Sequence, residues 1–402
     1  MKKTILVIGV AVIVVGLLIA AWIYVMFFGT PRELPDLSNP FGFGGSEQGQ
    51  PLPQEPVVAT TSTANPVVNV TGKPLRQLTT RPVIGYRELT QTGTSSILLY
   101  AEAGTGHVYS IDLTTGAESR RSGTTIIEAA EAVFSADGAF VVYRSGYNRV
   151  AKTVIGTMSS TTDSLTTNEL GELAENMHIE GNEVLFYSVR GNSAIGKSRN
   201  LRSGASKTLF TLPMSDPVVL WGRGETADHF IYPKPSYLLP GYVYRVGSGG
   251  GLTRLPVSGF GLSAFRSGPF VGISTVDPGE ERYETTIIDT FDNTIIDGLG
   301  AFIPEKCASS LEILGRIWCV QGNSSAAFGY PDTWHRGQVV NNDVVVELFF
   351  TATSTTITTL VDTLTDSGRT IDGFNHSSGP DGTNLYFINR LDNTLWLYDL
   401  DN

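Results

Sequence analysis

Three features of this 402-residue sequence predict an all-β body carried behind one membrane-spanning helix. From Lys73 onward, short runs of β-branched and aromatic residues alternate with Gly, Asn, Asp and Ser turns, the pattern of frequent short strands. Charged residues make up only 17% of the chain, against 44 Gly and 20 Pro, which disfavours long charged helices and coiled coils. An uncharged apolar run also follows directly on Met1, Lys2 and Lys3. The net charge of -11, with no basic block, argues against nucleic acid as a partner, because phosphate binding needs clustered Lys and Arg. The length would suggest two or three ordinary domains, unless one large repeat fold takes it up.

In chain order, the first element is the anchor, residues 1–28. The run from Thr4 to Phe28 is long enough to cross a hydrocarbon core of about 30 Å as a helix. A cleaved secretory signal would have a shorter apolar region, of about 7–15 residues. Trp22, Tyr24, Phe27 and Phe28 close the run, as aromatic residues do at a membrane interface. Lys2 and Lys3 precede it, whereas Arg32 is offset by Glu33 and Asp36, so the positive-inside rule leaves the N-terminus in the cytoplasm and the rest outside. The expected contact with the cell membrane is through residues 5–28. Residues 29–72 read as a flexible tether, since Pro31, Pro35, Pro40, Pro51, Pro53, Pro56 and Pro66 and several glycines prevent a ladder from forming. Its flexible-chain reach is about 35–40 Å.

The third element, residues 73–402, carries a repeat. Ile111-Asp-Leu-Thr-Thr-Gly116 leads into Ala132-Val-Phe-Ser-Ala-Asp-Gly-Ala-Phe-Val-Val-Tyr143, and Ser378-Gly-Pro-Asp-Gly-Thr-Asn-Leu-Tyr-Phe-Ile388 leads into Leu395-Trp-Leu-Tyr-Asp-Leu400. Each has a strand, an Asp-Gly turn that lets the chain fold back, and a second strand. These residues resemble the TolB-type, WD40-like β-propeller repeat, in which an Asp–apolar–Thr–Gly stretch ends one blade and a Ser–Pro–Asp–Gly turn opens the next. The order of anchor, Pro-rich tether and propeller also resembles single-anchor propeller proteins of candidate-phylum bacteria, a likeness that implies no activity. Turn clusters divide the body near 81–122, 124–173, 176–212, 214–256, 258–299, 301–366 and 369–402, which predicts a seven-bladed propeller with an enlarged sixth blade. The last unit lacks a fourth strand. Residues 74–79 are expected to supply it and to close the ring without an open edge.

Cys307 and Cys319 are the only cysteines. A hairpin centred on Ile313 would place them opposite one another, within disulfide range, and an exported domain permits the bond. A redox pair would sooner be Cys-x-x-Cys, and a zinc site needs further ligands nearby. No nucleophile elbow, His-Glu-x-x-His or P-loop occurs, so no cofactor and no catalytic residue is expected.

Binding is expected on the face formed by the connections between second and third strands, where three loops stand out. The fourth unit contributes Tyr237 and Tyr242 from Tyr232-Pro-Lys-Pro-Ser-Tyr-Leu-Leu-Pro-Gly-Tyr242, and the fifth Asp277 and Glu281. The sixth contributes Tyr330, Asp332, Trp334, His335 and Arg336. Aromatic planes, carboxylates and a cation suit an envelope protein, a peptide or a glycan; alternatively, the same aromatics pack the loops onto the sheet. The composite expectation is a single-pass, extracytoplasmic, non-catalytic binding or assembly module. Its rival is an envelope glycoside hydrolase or lyase with carboxylates at the propeller centre.

Overall fold

The structure is a computed structural model that describes residues 74–401, apart from 91–95, 147–149, 160, 223–227, 248–249, 278, 280–281, 297–299, 322–328 and 351–354. The anchor and tether expected in residues 1–72 lie outside the described residues. Among those described, no helix is long and apolar enough to cross a membrane.

The body is an all-β propeller. Strand β1 (Leu75–Gln77) precedes a first blade of β2 (Val83–Thr90), β3 (Ser96–Glu102), β4 (Val108–Asp112) and β5 (Glu118–Ser122). The second blade holds β6 (Ala129–Phe134), β7 (Phe140–Ser145), β8 (Lys152–Met158) and β9 (Leu165–Glu169), and the third β10 (Glu175–Glu180), β11 (Glu183–Arg190), β12 (Ser193–Asn200) and β13 (Ser206–Leu212). A larger sheet follows, of β14 (Pro217–Leu220), β15 (His229–Pro233), β16 (Pro240–Val246), β17 (Leu252–Ser267), β18 (Phe270–Asp277), β19 (Arg282–Asp289) and β20 (Ile295–Ile296). Next come β21 (Phe302–Ser309), β22 (Arg316–Gln321), a short helix α1 (Asp332–His335), β23 (Val344–Phe350), β24 (Thr355–Asp362) and a second short helix α2 (Thr363–Ser367). The last strands are β25 (Gly373–Ser378), β26 (Asn384–Asn389) and β27 (Leu395–Asp399).

The expectation of seven separate blades is corrected here. The structure has five separate four-stranded blades, and where a fourth and a fifth were expected it has one seven-stranded sheet. The physical reason is β17, which runs unbroken through the predicted boundary near residues 256–258. Its first part pairs with β16 and its last with β18, with Phe260 shared between them.

Closure follows from strand supply. Three strands remain after Ile371, and β1 adds to their edge with Leu75 opposite Tyr398 and Gln77 opposite Trp396. The outer edge of β27 is thereby paired instead of being left open.

The turns obey the chemistry written in the repeat. Between β6 and β7, Asp137 accepts from the hydroxyl of Ser135 at 2.6 Å and from the Ala139 amide at 3.0 Å. Between β4 and β5, Asp112 accepts from the Thr114 and Thr115 amides at 3.0 and 2.8 Å. Middle strands such as β7 and β11 are buried on both faces, while the outer strands β5 and β9 are polar and exposed. That asymmetry is what a blade sandwiched between two neighbours requires.

The core is a chain of apolar layers between adjacent sheets. Trp318, Val320 and Val345 pack on Leu385, Phe387 and Trp396, and Tyr386 and Leu397 in turn pack on Leu98 and Tyr100. Each such side chain contributes about 1.5–3 kcal/mol by leaving water. The seven-stranded sheet packs on itself, with Phe230, Tyr232 and Val243 against Leu262, Val271 and Ile273. Cys307 and Cys319 are direct partners in the β21–β22 register and form a disulfide.

Candidate functional site

The three connections singled out in the sequence are β15–β16, β18–β19 and β22–β23, and their roots meet. Tyr237, Val276, Tyr283, Tyr330 and Trp334 form one buried apolar cluster with Ile303. The Tyr237 amide donates to Asp332 at 2.5 Å, and the Gly261 amide donates to the Ser236 carbonyl at 2.7 Å. Gly261 has φ +56°, and a Cβ there would stand 2.8 Å from Pro331 Cδ. Only glycine satisfies both the left-handed backbone and that close approach.

The aromatics are not placed as exposed planes, which corrects the expectation for Tyr330 and Trp334. Tyr330 is 6% and Trp334 5% exposed. The Tyr330 ring meets Tyr283 edge-on at 5.3 Å. The Trp334 indole N–H donates to both oxygens of Asp372, at 3.0 and 3.1 Å. The Arg390 guanidinium lies over the same indole at 4.8 Å and donates to the carbonyls of Trp334 and His335. A ring that can bury its apolar body and still satisfy its N–H does so, and here that fastens α1 to the closing blade.

Beneath Trp334 lies a charged cluster that sequence reading missed. Lys306, Asp343 and Asp372 are fully buried; the Lys306 ammonium sits 2.6 Å from Asp343 and also bridges to Asp372. The Gly373 amide donates to Asp343 at 2.5 Å. Burial nevertheless pushes the Asp343 carboxyl up to about 6, outweighing the attraction of Lys306. Its three members come from separate stretches of chain, and the only sequence signal was a charged pair, Glu305-Lys306, within a strand otherwise ready for burial.

Above the cluster, at the loop face, is a cavity of about 330 Å³. Of the expected residues, Asp332, His335 and Arg336 line it. Tyr237 lies in the packing below, Tyr242 is covered by the Arg254 guanidinium at 3.9 Å, and Asp277, at the end of β18, accepts from the Gly279 amide at 2.8 Å. Glu281 lies outside the described residues.

Tyr232 and Lys234, from the connection singled out in the sequence but not among its chosen site residues, also line the cavity, as does Glu305, which sequence reading missed. Lys234 pairs with Asp216 at 2.6 Å, and Arg336 stands 3.9 Å from Asp332. Both oxygens of Glu305 are buried without a hydrogen-bond partner, and the nearest ring nitrogen, Nε2 of His335, is 3.6 Å away. Its charge adds to the effect of burial in raising the phenol pKa values of Tyr232, Tyr283 and Tyr330. A second cavity, of about 560 Å³, is the central channel, lined by residues from β2, β6, β10, β14, β17, β21 and β25. Among the described residues, no group of three or more His, Cys, Asp or Glu could hold a metal ion.

No protein-family model and no curated protein matches the chain. Solved structures do. Oligogalacturonate lyase from Vibrio parahaemolyticus is 11% identical, with a TM-score of 0.53 over 81% of this chain and 93% of that one. A putative 6-phosphogluconolactonase from Bacteroides fragilis is 13% identical, with a TM-score of 0.50 over 77% and 92%. TolB from Acinetobacter baumannii is 10% identical, with a TM-score of 0.39 over 73% and 59%. At these identities the likeness is one of fold alone.

Proposed function

We propose that this chain is a membrane-anchored, extracytoplasmic propeller whose loop face captures an envelope protein, peptide or glycan without transforming it. The observation that carries the reading is the meeting of the β15–β16 and β22–β23 connections at one cavity, while Leu238 and Leu239 of the first connection are 78% and 67% exposed. Adjacent exposed leucines next to a cavity of this size suit recognition. The anchor at residues 5–28 and the tether at 29–72 would hold the body clear of the cytoplasmic membrane, and the formal charge of -13 on residues 29–402, from 26 Lys and Arg against 39 Asp and Glu, would stand off anionic headgroups.

The resemblance to the TolB-type, WD40-like repeat and to candidate-phylum anchored propellers is carried by the turns at Asp112, Asp137 and Asp381.

Replacing Leu238 and Leu239 together with Glu in the full chain should abolish capture of envelope material while thermal unfolding stays within about 1 kcal/mol of wild type, as for exposed sites. Undiminished capture would remove the loop face as the binding surface. A glycan-cleaving reading draws on Glu305 and Asp332 sharing one cavity and on the fold likeness to a lyase. Release of unsaturated or reducing ends from envelope glycan, lost in Glu305→Gln, would favour it.

A further inference from the structure

Two polar atoms of a residue lining the loop-face cavity, the Glu305 oxygens, are buried without a hydrogen-bond partner. The Tyr330 and Thr333 hydroxyls, in the β22–β23 connection, are also buried and unsatisfied. Buried polar groups are otherwise almost always satisfied, so such a concentration needs a cause. An ionised carboxylate is the most demanding of these groups, since it only accepts and is expensive to bury unpaired. The cations at the rim do not answer it: Lys234 is 2.6 Å from Asp216, and Arg336 faces Asp332. His335, whose side chain is 41% exposed, stands nearest to Glu305, at 3.6 Å.

We infer that this cavity receives a primary ammonium group, the side chain of a lysine in a bound peptide, with Glu305 as its counterion. The inference rests on the loop face being the binding surface. The N–H donors of one small cation match the two acceptors left open on Glu305. The Tyr232 ring, which lines the same cavity and feels the Glu305 charge, supplies an aromatic face beside which a cation is favoured. A volume of about 330 Å³ accommodates a lysine side chain but not a folded partner, so the rest of the peptide lies across Leu238 and Leu239. The ammonium reaches the carboxylate when the exposed His335 ring turns outward. An outward acidic body further raises the local concentration of cationic peptides.

The probe is N-acetyl-lysine methylamide, with N-acetyl-norleucine methylamide as the uncharged isostere, titrated calorimetrically into the purified full chain. The lysine probe should bind, the norleucine probe should not, and Glu305→Gln should weaken lysine binding at least tenfold. Glu305→Gln should also leave the melting temperature of the unliganded chain equal to or above wild type, because the substitution replaces a carboxylate whose oxygens are buried without a hydrogen-bond partner. Equal affinity in Glu305→Gln, equal binding of norleucine, no lysine binding by the folded wild type, or a lowered melting temperature would each overturn the inference. Envelope capture that survives Glu305→Gln but is lost when Leu238 and Leu239 become Glu would do so too, while leaving the loop-face reading standing.

Discussion

Lowering the pH from 7 to 5 should destabilise the propeller through two histidines whose pKa values are lowered by burial, His376, to about 3, and His229. The His229 ring is buried against Phe210 and Trp221, and its Nδ1 accepts from the Gly222 amide at 3.0 Å. A proton on Nδ1 would break that bond and place a charge beside Arg266, so burial first and Arg266 second lower its pKa to about 4. In the unfolded chain the ring titrates near 6.5. Below that value the unfolded state binds a proton that the folded state refuses, so this contribution is present at pH 7 and is lost as the pH falls towards 4. At about 1.36 kcal/mol per pKa unit, the loss is about 2 kcal/mol between pH 7 and 5 and about 3 kcal/mol below pH 4. Asparagine can accept from the Gly222 amide through Oδ1 and does not titrate. Urea unfolding followed by tryptophan fluorescence at pH 7, 6 and 5 should therefore show His229→Asn less stable than wild type at pH 7, but losing about 2 kcal/mol less on acidification. A variant that loses as much as wild type over that range would refute the assignment of acid sensitivity to this ring.

Trp334→Ala should cost about 3–5 kcal/mol in the same unfolding assay, since it empties a buried site and strips Asp372 of its indole donor; a cost below about 1 kcal/mol would contradict the packing described. Replacing Cys307 and Cys319 together with Ser should cost about 3 kcal/mol, the loop-closure entropy of a bridge spanning a sequence separation of 12, and reducing agent should reproduce the loss. Asp343 works in the opposite direction to His229. Its pKa is raised from 3.8 to about 6, so its contribution is complete below pH 3.8 and is lost as the pH rises through 6, by about 3 kcal/mol in total. Asp343→Asn should remove that slope from the stability profile between pH 4 and 7, and an unchanged slope would place the titrating group elsewhere.

The parts of this molecule legible in its sequence are those fixed by neighbours along the chain. Asp137-Gly138 and Asp112 through Gly116 set their own turns, because the side chain that caps each turn lies two or three residues from the amides it satisfies. Cys307 and Cys319 were paired by counting outward from a hairpin centre. The enlarged β22–β23 connection was visible as excess length, but the direction of its aromatics was not. Whether Trp334 faces solvent depends on Asp372 and Arg390, 38 and 56 residues away.

The sheet count and the cavity failed for a related reason. Turn residues near 256–258 suggested a break, yet β17 continues through them because its two halves find different partners, and Gly261 bends the strand where β15–β16 packs upon it. Glu305 offered only its place in the charged pair Glu305-Lys306: one carboxylate in an inner strand comes to line a cavity only when loops from distant blades enclose it. The sequence by itself determined the all-β repeat, its turns, the disulfide register and the loops worth watching, because these follow from contacts within one hairpin. Tertiary structure alone decided that Tyr330 and Trp334 are buried, that Lys306, Asp343 and Asp372 share one site, and that the Glu305 oxygens are left without a hydrogen-bond partner, because burial and pairing across blades depend on which surfaces the closed ring brings together.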